Sequence, residues 1–161
     1  MGNTVGSRQF RSDDYIAGFF DGDGSVVATL ERYNSTRFPY RVRLKLNFTQ
    51  HARFANELAT IQKTLGGVGV IRTNTSKRLA ELVIQNRNEV RAVLERLRSK
   101  LYLKKPQALL ALRVLAVMRG NEKHKPSVLS DSAYTHVLSL VQSIRRLNAH
   151  TGGKRQRIQT V

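Results

Sequence analysis

The sequence predicts an α+β fold, a four-stranded antiparallel sheet carrying helices, and three observations predict it. Residues 37–49 alternate apolar and polar or basic side chains almost without fault. Two shorter β-like runs flank a polar turn at 75–78. Before, between and after these strand pairs lie stretches whose apolar residues recur at helical spacing, bounded by capping residues or glycines.

Residues 1–12 are polar and glycine-containing and read as a flexible N-terminal arm. Ser12 then offers an N-cap, and Asp13 and Asp14 first-turn acids, to a short helix over roughly 13–22. Gly24-Ser25 ends it. Residues 26–33 read as a strand that turns through Asn34-Ser35-Thr36 into the long strand 37–49. There Phe38, Tyr40, Val42, Leu44, Leu46 and Phe48 point one way, and Arg37, Arg41, Arg43, Lys45, Asn47 and Thr49 the other. Like charges at alternate positions repel one another, a cost that a covering polyanion removes, so binding is favoured over simple solvation of this face.

Residues 51–65 have the spacing of an amphipathic helix with Phe54, Leu58, Ile61 and Leu65 inward, ended by Gly66-Gly67. Runs 69–74 and 79–85 make a second hairpin, which brings Arg72, Asn74, Lys77 and Arg78 toward the basic face; side-chain parity in the last strand is ambiguous. Asn88 caps a helix to Arg98 with Val90, Leu94 and Leu97 inward. Lys104-Lys105-Pro106 opens another, whose body at 108–118 is apolar nearly all round except Arg113, as in a buried core helix. A charged loop at 119–130 leads to a last helix over 131–148 with Val137, Val141 and Ile144 inward. Residues 13–148 thus read as a single domain whose helices cover one sheet face, followed by a basic tail, 149–161, that includes Lys154 and adds non-specific affinity.

Lys and Arg number 28 against 11 Asp and Glu, a formal charge of +17. Such a field attracts phosphates, and the preponderance of Arg, whose planar fork suits phosphate and guanine, favours nucleic acid as the partner. The absence of cysteine excludes thiol catalysis, cysteine-ligated zinc and disulfides. No apolar run reaches membrane-spanning length and no signal-peptide core follows the start, so the chain reads as soluble and intracellular, with no membrane partner.

Against this basic background the segment Ile16-Ala17-Gly18-Phe19-Phe20-Asp21-Gly22-Asp23-Gly24 stands out, a small and apolar helix running into two carboxylates flanked by glycines. Two acids there suit a cation shared with a polyanion. An EF-hand is excluded, because the sixth position from Asp21 is Val26 instead of glycine and the twelfth is Arg32 instead of glutamate.

The segment resembles the motif of the LAGLIDADG homing endonucleases, and the order of elements read above resembles that family's αββαββα saddle, whose sheet straddles DNA. The resemblance implies a site-specific double-stranded DNA endonuclease. It implies that motif helices of two units pack together, with Gly18 and Gly22 allowing close approach and Asp21 serving the helix end or interface. It implies that Asp23, with the Gly22 carbonyl, binds a divalent cation beside the scissile phosphate: Mg²⁺, with Mn²⁺ able to substitute and Ca²⁺ supporting binding only. Gln50 matches the polar residue that positions water, and Lys104 the basic residue that stabilises phosphate charge. Arg53 lies near a position where relatives carry an arginine.

Because the motif occurs once, the chain resembles the homodimeric members, for which two-fold symmetry implies a pseudo-palindromic target on the order of 20 base pairs. Candidate groove contacts are Thr29, Glu31, Tyr33, Arg37, Arg41, Arg43, Lys45, Asn47 and Arg72, with Asn74, Lys77 and Arg78 at the second hairpin. An intron-encoded protein of an organelle or a prokaryotic cytoplasm is the family expectation. The competing readings are a maturase or transcription-factor relative, which binds RNA or DNA without cutting, and a basic ribosomal protein. Asp23, Gln50 and Lys104 together argue for cleavage.

Overall fold

A computed structural model of the chain describes residues 10–34, 37–120 and 129–149. Most of the predicted arm, nearly all of the basic tail with Lys154, and residues 121–128 of the charged loop lie outside the described residues. The elements are α1 (Asp13–Asp23), β1 (Gly24–Arg32), β2 (Tyr40–His51), a 3₁₀ turn (Ala52–Phe54), α2 (Ala55–Thr64), β3 (Val70–Asn74), β4 (Leu79–Ile84), α3 (Arg87–Leu97), α4 (Lys105–Gly120) and α5 (Asp131–Ala149). The strands form one four-stranded sheet in the order β1-β2-β4-β3. This is the predicted α+β order.

Local chemistry accounts for the boundaries. The Ser12 hydroxyl accepts the Tyr15 N–H at 3.2 Å and so starts α1. In β2 the alternation holds for Val42, Leu44, Leu46 and Phe48, all buried. It fails at Tyr40 and before it. Pro39 has no N–H to give a sheet ladder, residues 37–39 bend, and the Tyr33 N–H donates to the Pro39 carbonyl at 3.0 Å. The expected inward Phe38 therefore lies outside the strand and stacks on Tyr134, ring centroids 4.1 Å apart, while Tyr40 is exposed.

A second correction concerns Phe54. β2 continues to His51, and the 3₁₀ turn that follows advances about 120° per residue instead of 100°, so Phe54 falls off the inward stripe of α2. It is 46% exposed, with the Arg53 guanidinium 4.7 Å from its ring centroid. Leu58 and Ile61 are buried as expected. The helix stops where Gly66 and Gly67 adopt φ of 92° and 78°, and the Gly67 N–H closes on the Gln62 carbonyl at 2.9 Å. A third correction moves the cap of α3 from Asn88 to Asn86, whose side chain accepts the N–H groups of both Asn88 and Glu89.

The chain divides into two compact units, one of residues up to Ser25 with Lys45–Lys105, the other of Val26–Leu44 with residues from Pro106 onward. In the first, Ile16, Ala17 and Phe20 of α1 are buried, as are Leu46, Phe48, Leu58, Ile61, Leu82, Ile84, Val90, Leu94 and Leu97. Burying each large side chain contributes about 1.5–3 kcal/mol. Phe20 meets Phe48 at 4.8 Å between centroids, which seats α1 against β2. The first-turn acids of α1 are tied to α3 and its C-terminal end, Asp13 to Arg96 and Asp14 to Lys100, each at 2.8 Å. Arg11 holds Glu57 of α2 through two hydrogen bonds of 2.8 Å. In the second unit Val26, Ala28, Val42 and Leu44 are buried, as are Val114, Leu115, Val137, Val141 and Ile144, and Asn148 donates to the Val26 carbonyl at 2.8 Å. Among the described residues no helix is long and apolar enough to cross a membrane.

Candidate functional site

Asp23 is the last residue of α1. At a helix C-terminus the last carbonyls lack helical partners and carry the negative end of the dipole, which cations ordinarily occupy. Here the last turn has no basic residue, in a chain of net charge +17. What stands there is the exposed Asp23 carboxylate beside exposed Gly22. Oxygen donors of this kind, carboxylate plus backbone carbonyl, fit a hard divalent cation. Among the described residues no cluster of three or more His, Cys, Asp or Glu gathers into a metal site. With both Asp21 oxygens accepting backbone N–H groups, the carboxylate left for this position is that of Asp23, which suits a cation completed by water, phosphate or a second copy.

Gln50 comes to Asp23 through packing. Gln50 lies opposite Ala80, on the β2 face that carries Phe48, and Phe48 is already fixed against Phe20. The Gln50 Nε2 donates to Asp23 Oδ2 at 3.2 Å, and its Oε1 accepts the His51 N–H at 2.9 Å. That second bond orients the amide so that its NH₂ faces the carboxylate. Lys104 is half-buried in the connection before α4; its backbone N–H donates to Asp21 Oδ1 at 2.9 Å. Its ammonium forms no ion pair among the described residues.

Gly18 and Gly22 are exposed, and a Cβ built at either meets nothing within 4 Å. With Tyr15, 43% exposed, they make a stripe at i, i+3 and i+7 on α1 that no other described element covers. Asp21 is half-buried, and both its oxygens accept backbone N–H groups, from Tyr102 at 2.8 Å and from Lys104.

The outer face of β2 presents Arg41 and Arg43, exposed, then Lys45 and Asn47, half-buried. Arg43 pairs with Glu31 of β1, so one cation of the row is partly neutralised. Thr29 is half-buried and Tyr33 exposed. Arg37 sits in the bend before β2, paired with Asp131 at 2.9 Å. Arg72, Asn74, Lys77 and Arg78 are all exposed. The Asn74 Oδ1 is engaged by the Ser76 hydroxyl and the Lys77 N–H, at 2.8 and 3.0 Å, and so shapes the turn. Arg78 has φ 52° and its carbonyl accepts the Ala52 N–H at 2.9 Å.

Register resolves the ambiguous last strand. Thr49 lies opposite Glu81, and Glu81 opposite Arg72, which puts Glu81 on the outer face. The Thr49 hydroxyl reaches its carboxylate at 3.4 Å. Glu81 was not among the sequence candidates; Leu79, Leu82, Val83 and Ile84 around it give no alternation from which to read its side. Beside it Asn47 Oδ1 is buried with no hydrogen-bond partner among the described residues, an acceptor on the same outer face.

The model of the family described as LAGLIDADG endonuclease matches residues 16–111. The chain is 27% identical over 146 residues to the DNA endonuclease I-CreI of Chlamydomonas reinhardtii, covering 91% of this chain and 83% of that one. To the DNA endonuclease I-CvuI of Chlorella vulgaris it is 30% identical over 119 residues, 74% of this chain and 71% of the other. Among solved structures, the homing endonuclease I-CvuI in complex with its target in the presence of Ca gives a TM-score of 0.76 at 26% identity, covering 91% of this chain and 85% of that one. The homing endonuclease I-TnaI, 22% identical, shares the fold with a TM-score of 0.71 over 88% of this chain and 98% of that one. With the segment from Ile16 to Gly24 and all four strands of the sheet inside the matched region, the chain belongs to the LAGLIDADG endonuclease family.

Proposed function

We propose that this chain is a site-specific homing endonuclease that acts as a homodimer and cleaves both strands of a long pseudo-palindromic DNA target. The reaction is metal-dependent phosphodiester hydrolysis leaving 5′-phosphate and 3′-hydroxyl ends. One observation carries the reading: Gln50, 27 residues from Asp23 in sequence, holds the Asp23 carboxylate at the carbonyl end of the motif helix.

Asp23, with the Gly22 carbonyl, would hold Mg²⁺. A cation bound there supplies positive charge to the scissile phosphate and lowers the pKa of an attacking water. The residues do the rest. Gln50 orients the Asp23 carboxylate, and the Lys104 ammonium neutralises charge on the phosphate. The outer face of β2 engages the groove through Arg41, Arg43 and Lys45, while the exposed side chains of Arg72, Lys77 and Arg78 meet the backbone or bases further along. Because each chain brings one Asp23, and because the stripe through Gly18 and Gly22 is uncovered, two copies joined along α1 would supply two such carboxylates, one for each strand.

Incubating the purified protein with a randomised duplex library in Mg²⁺ and sequencing the cut ends tests the reading. A single symmetric target with ligatable 5′-phosphate ends is expected, with Mn²⁺ replacing Mg²⁺ and Ca²⁺ giving binding alone. DNA that is bound but uncut in both Mg²⁺ and Mn²⁺ would contradict it and favour a binding module.

A further inference from the structure

Asp21 and Asp23 are two residues apart on α1, yet their carboxylates are used differently. Asp23 is exposed, while Asp21 Oδ2 accepts the Tyr102 N–H at 2.8 Å and Oδ1 the Lys104 N–H at 2.9 Å. The bracketed residues lie in the connection between α3 and α4. In the middle of it Leu101 is buried at 1% exposure; after it Tyr102 and Leu103 are 84% and 71% exposed. Two side chains that bury so little do not fix the backbone between them, and ordering that backbone costs conformational entropy that packing there does not offset. Among the described residues, the amides of Tyr102 and Lys104 are tied by the Asp21 carboxylate, acceptor-only and two-pronged, with one oxygen for each amide.

We propose that Asp21 is the positioning residue of Lys104: by gripping the amides of Tyr102 and Lys104 it fixes the Lys104 ammonium relative to Asp23 on the same helix. The role rests on the nuclease reading above, in which Lys104 meets the phosphate. A carboxylate is needed because an amide of the same shape has one acceptor and one donor, and the donor would face an N–H. Asp21→Asn is therefore nearly isosteric and breaks the grip without emptying the site.

Two readouts test this. In amide hydrogen exchange, Tyr102 and Lys104 are expected to be protected in the wild type, and Asp21→Asn to speed their exchange about tenfold or more while the amides of the core strands are unchanged. In single-turnover cleavage of the library-selected target, Asp21→Asn is expected to lower the rate constant about 10- to 100-fold, the scale of a displaced catalytic group. Target affinity in Ca²⁺ should stay within about threefold. In a Lys104→Ala background the same change should lower the rate by no more than about twofold, because Asp21 acts through Lys104. Effects that multiply instead, or a rate unchanged while the protection is lost, would reduce Asp21 to a structural cap. Unprotected amides in the wild type would overturn the grip itself. A wild-type protein that cuts nothing would overturn the nuclease reading and this role with it, and the exchange data would still report the tie.

Discussion

Gly18→Ala separates what α1 needs for its own fold from what it needs for a second copy. In the isolated chain the new methyl enters open space, since beyond its own helix backbone no described atom lies within 4 Å of its position. Glycine in a helix interior is about 0.8–1.0 kcal/mol less favourable than alanine, so the fold should gain about 1 kcal/mol. That is appreciable against a total stability of about 5–15 kcal/mol. If a second copy crosses α1 at this stripe, the same methyl stands in a packed contact, where overpacking costs about 1–3 kcal/mol. A two-fold interface incurs that cost twice, about 2–6 kcal/mol, which is a rise in the dimer dissociation constant of about thirtyfold to twenty-thousandfold. Sedimentation equilibrium over a range of protein concentrations measures the dimer. Urea unfolding at concentrations where the protein is monomeric measures the fold. Unchanged dimerisation would refute the placement of the interface on this stripe, and a destabilised monomer would refute the open space around Gly18.

Gly24→Ala should do the opposite. Its backbone (φ −98°, ψ 165°) suits any residue, but a Cβ would sit 2.3 Å from Phe20 Cδ2 and 2.5 Å from the Phe20 carbonyl oxygen. A loss of about 1–3 kcal/mol in urea unfolding is expected, and a change under about 0.5 kcal/mol would contradict the geometry. Hydrogen bonds from Arg11 hold the Glu57 carboxyl below its ordinary value despite partial burial. A depressed acid contributes stability above its unfolded pKa and loses it as pH falls through the folded one. Glu57→Gln should therefore be less stable than wild type at neutral pH, and the gap should close in strong acid; a gap that stays constant in pH-dependent urea unfolding would refute it. Arg43→Ala should relax preference at a symmetric pair of target positions, by about 1–3 kcal/mol in binding-site selection, whereas a uniform loss over all sequences would make Arg43 a backbone contact.

What was legible in the sequence was what depends on local period and on the motif. The alternation in β2 placed Val42, Leu44, Leu46 and Phe48 correctly because one burial pattern runs unbroken from Arg41 to Thr49. Phe54 was misplaced because a 3₁₀ turn breaks helical phase without leaving a mark in composition. The cap of α3 was misassigned because two asparagines two residues apart compete for it, and the earlier reaches both free amides. Glu81 needed the register, which long-range pairing alone sets. Likewise the meeting of Gln50 with Asp23 depends on the packing of Phe20 on Phe48, and the Asp21 grip joins residues more than 80 positions apart. No local spacing encodes either, and at the sequence level Gln50 and Lys104 were found through the family resemblance alone.

Asp23→Asn tests the central claim most directly. The substitution keeps the shape of the side chain and an acceptor for Gln50, removes the charge that would hold a cation, and leaves the basic outer face of β2 untouched. Binding and cleavage of the library-selected duplex are measured on the same preparation, binding in Ca²⁺ and cleavage in Mg²⁺. Double-strand cleavage should be abolished while specific binding stays close to wild type. Cleavage by Asp23→Asn at the wild-type rate would place the catalytic cation elsewhere and contradict the site.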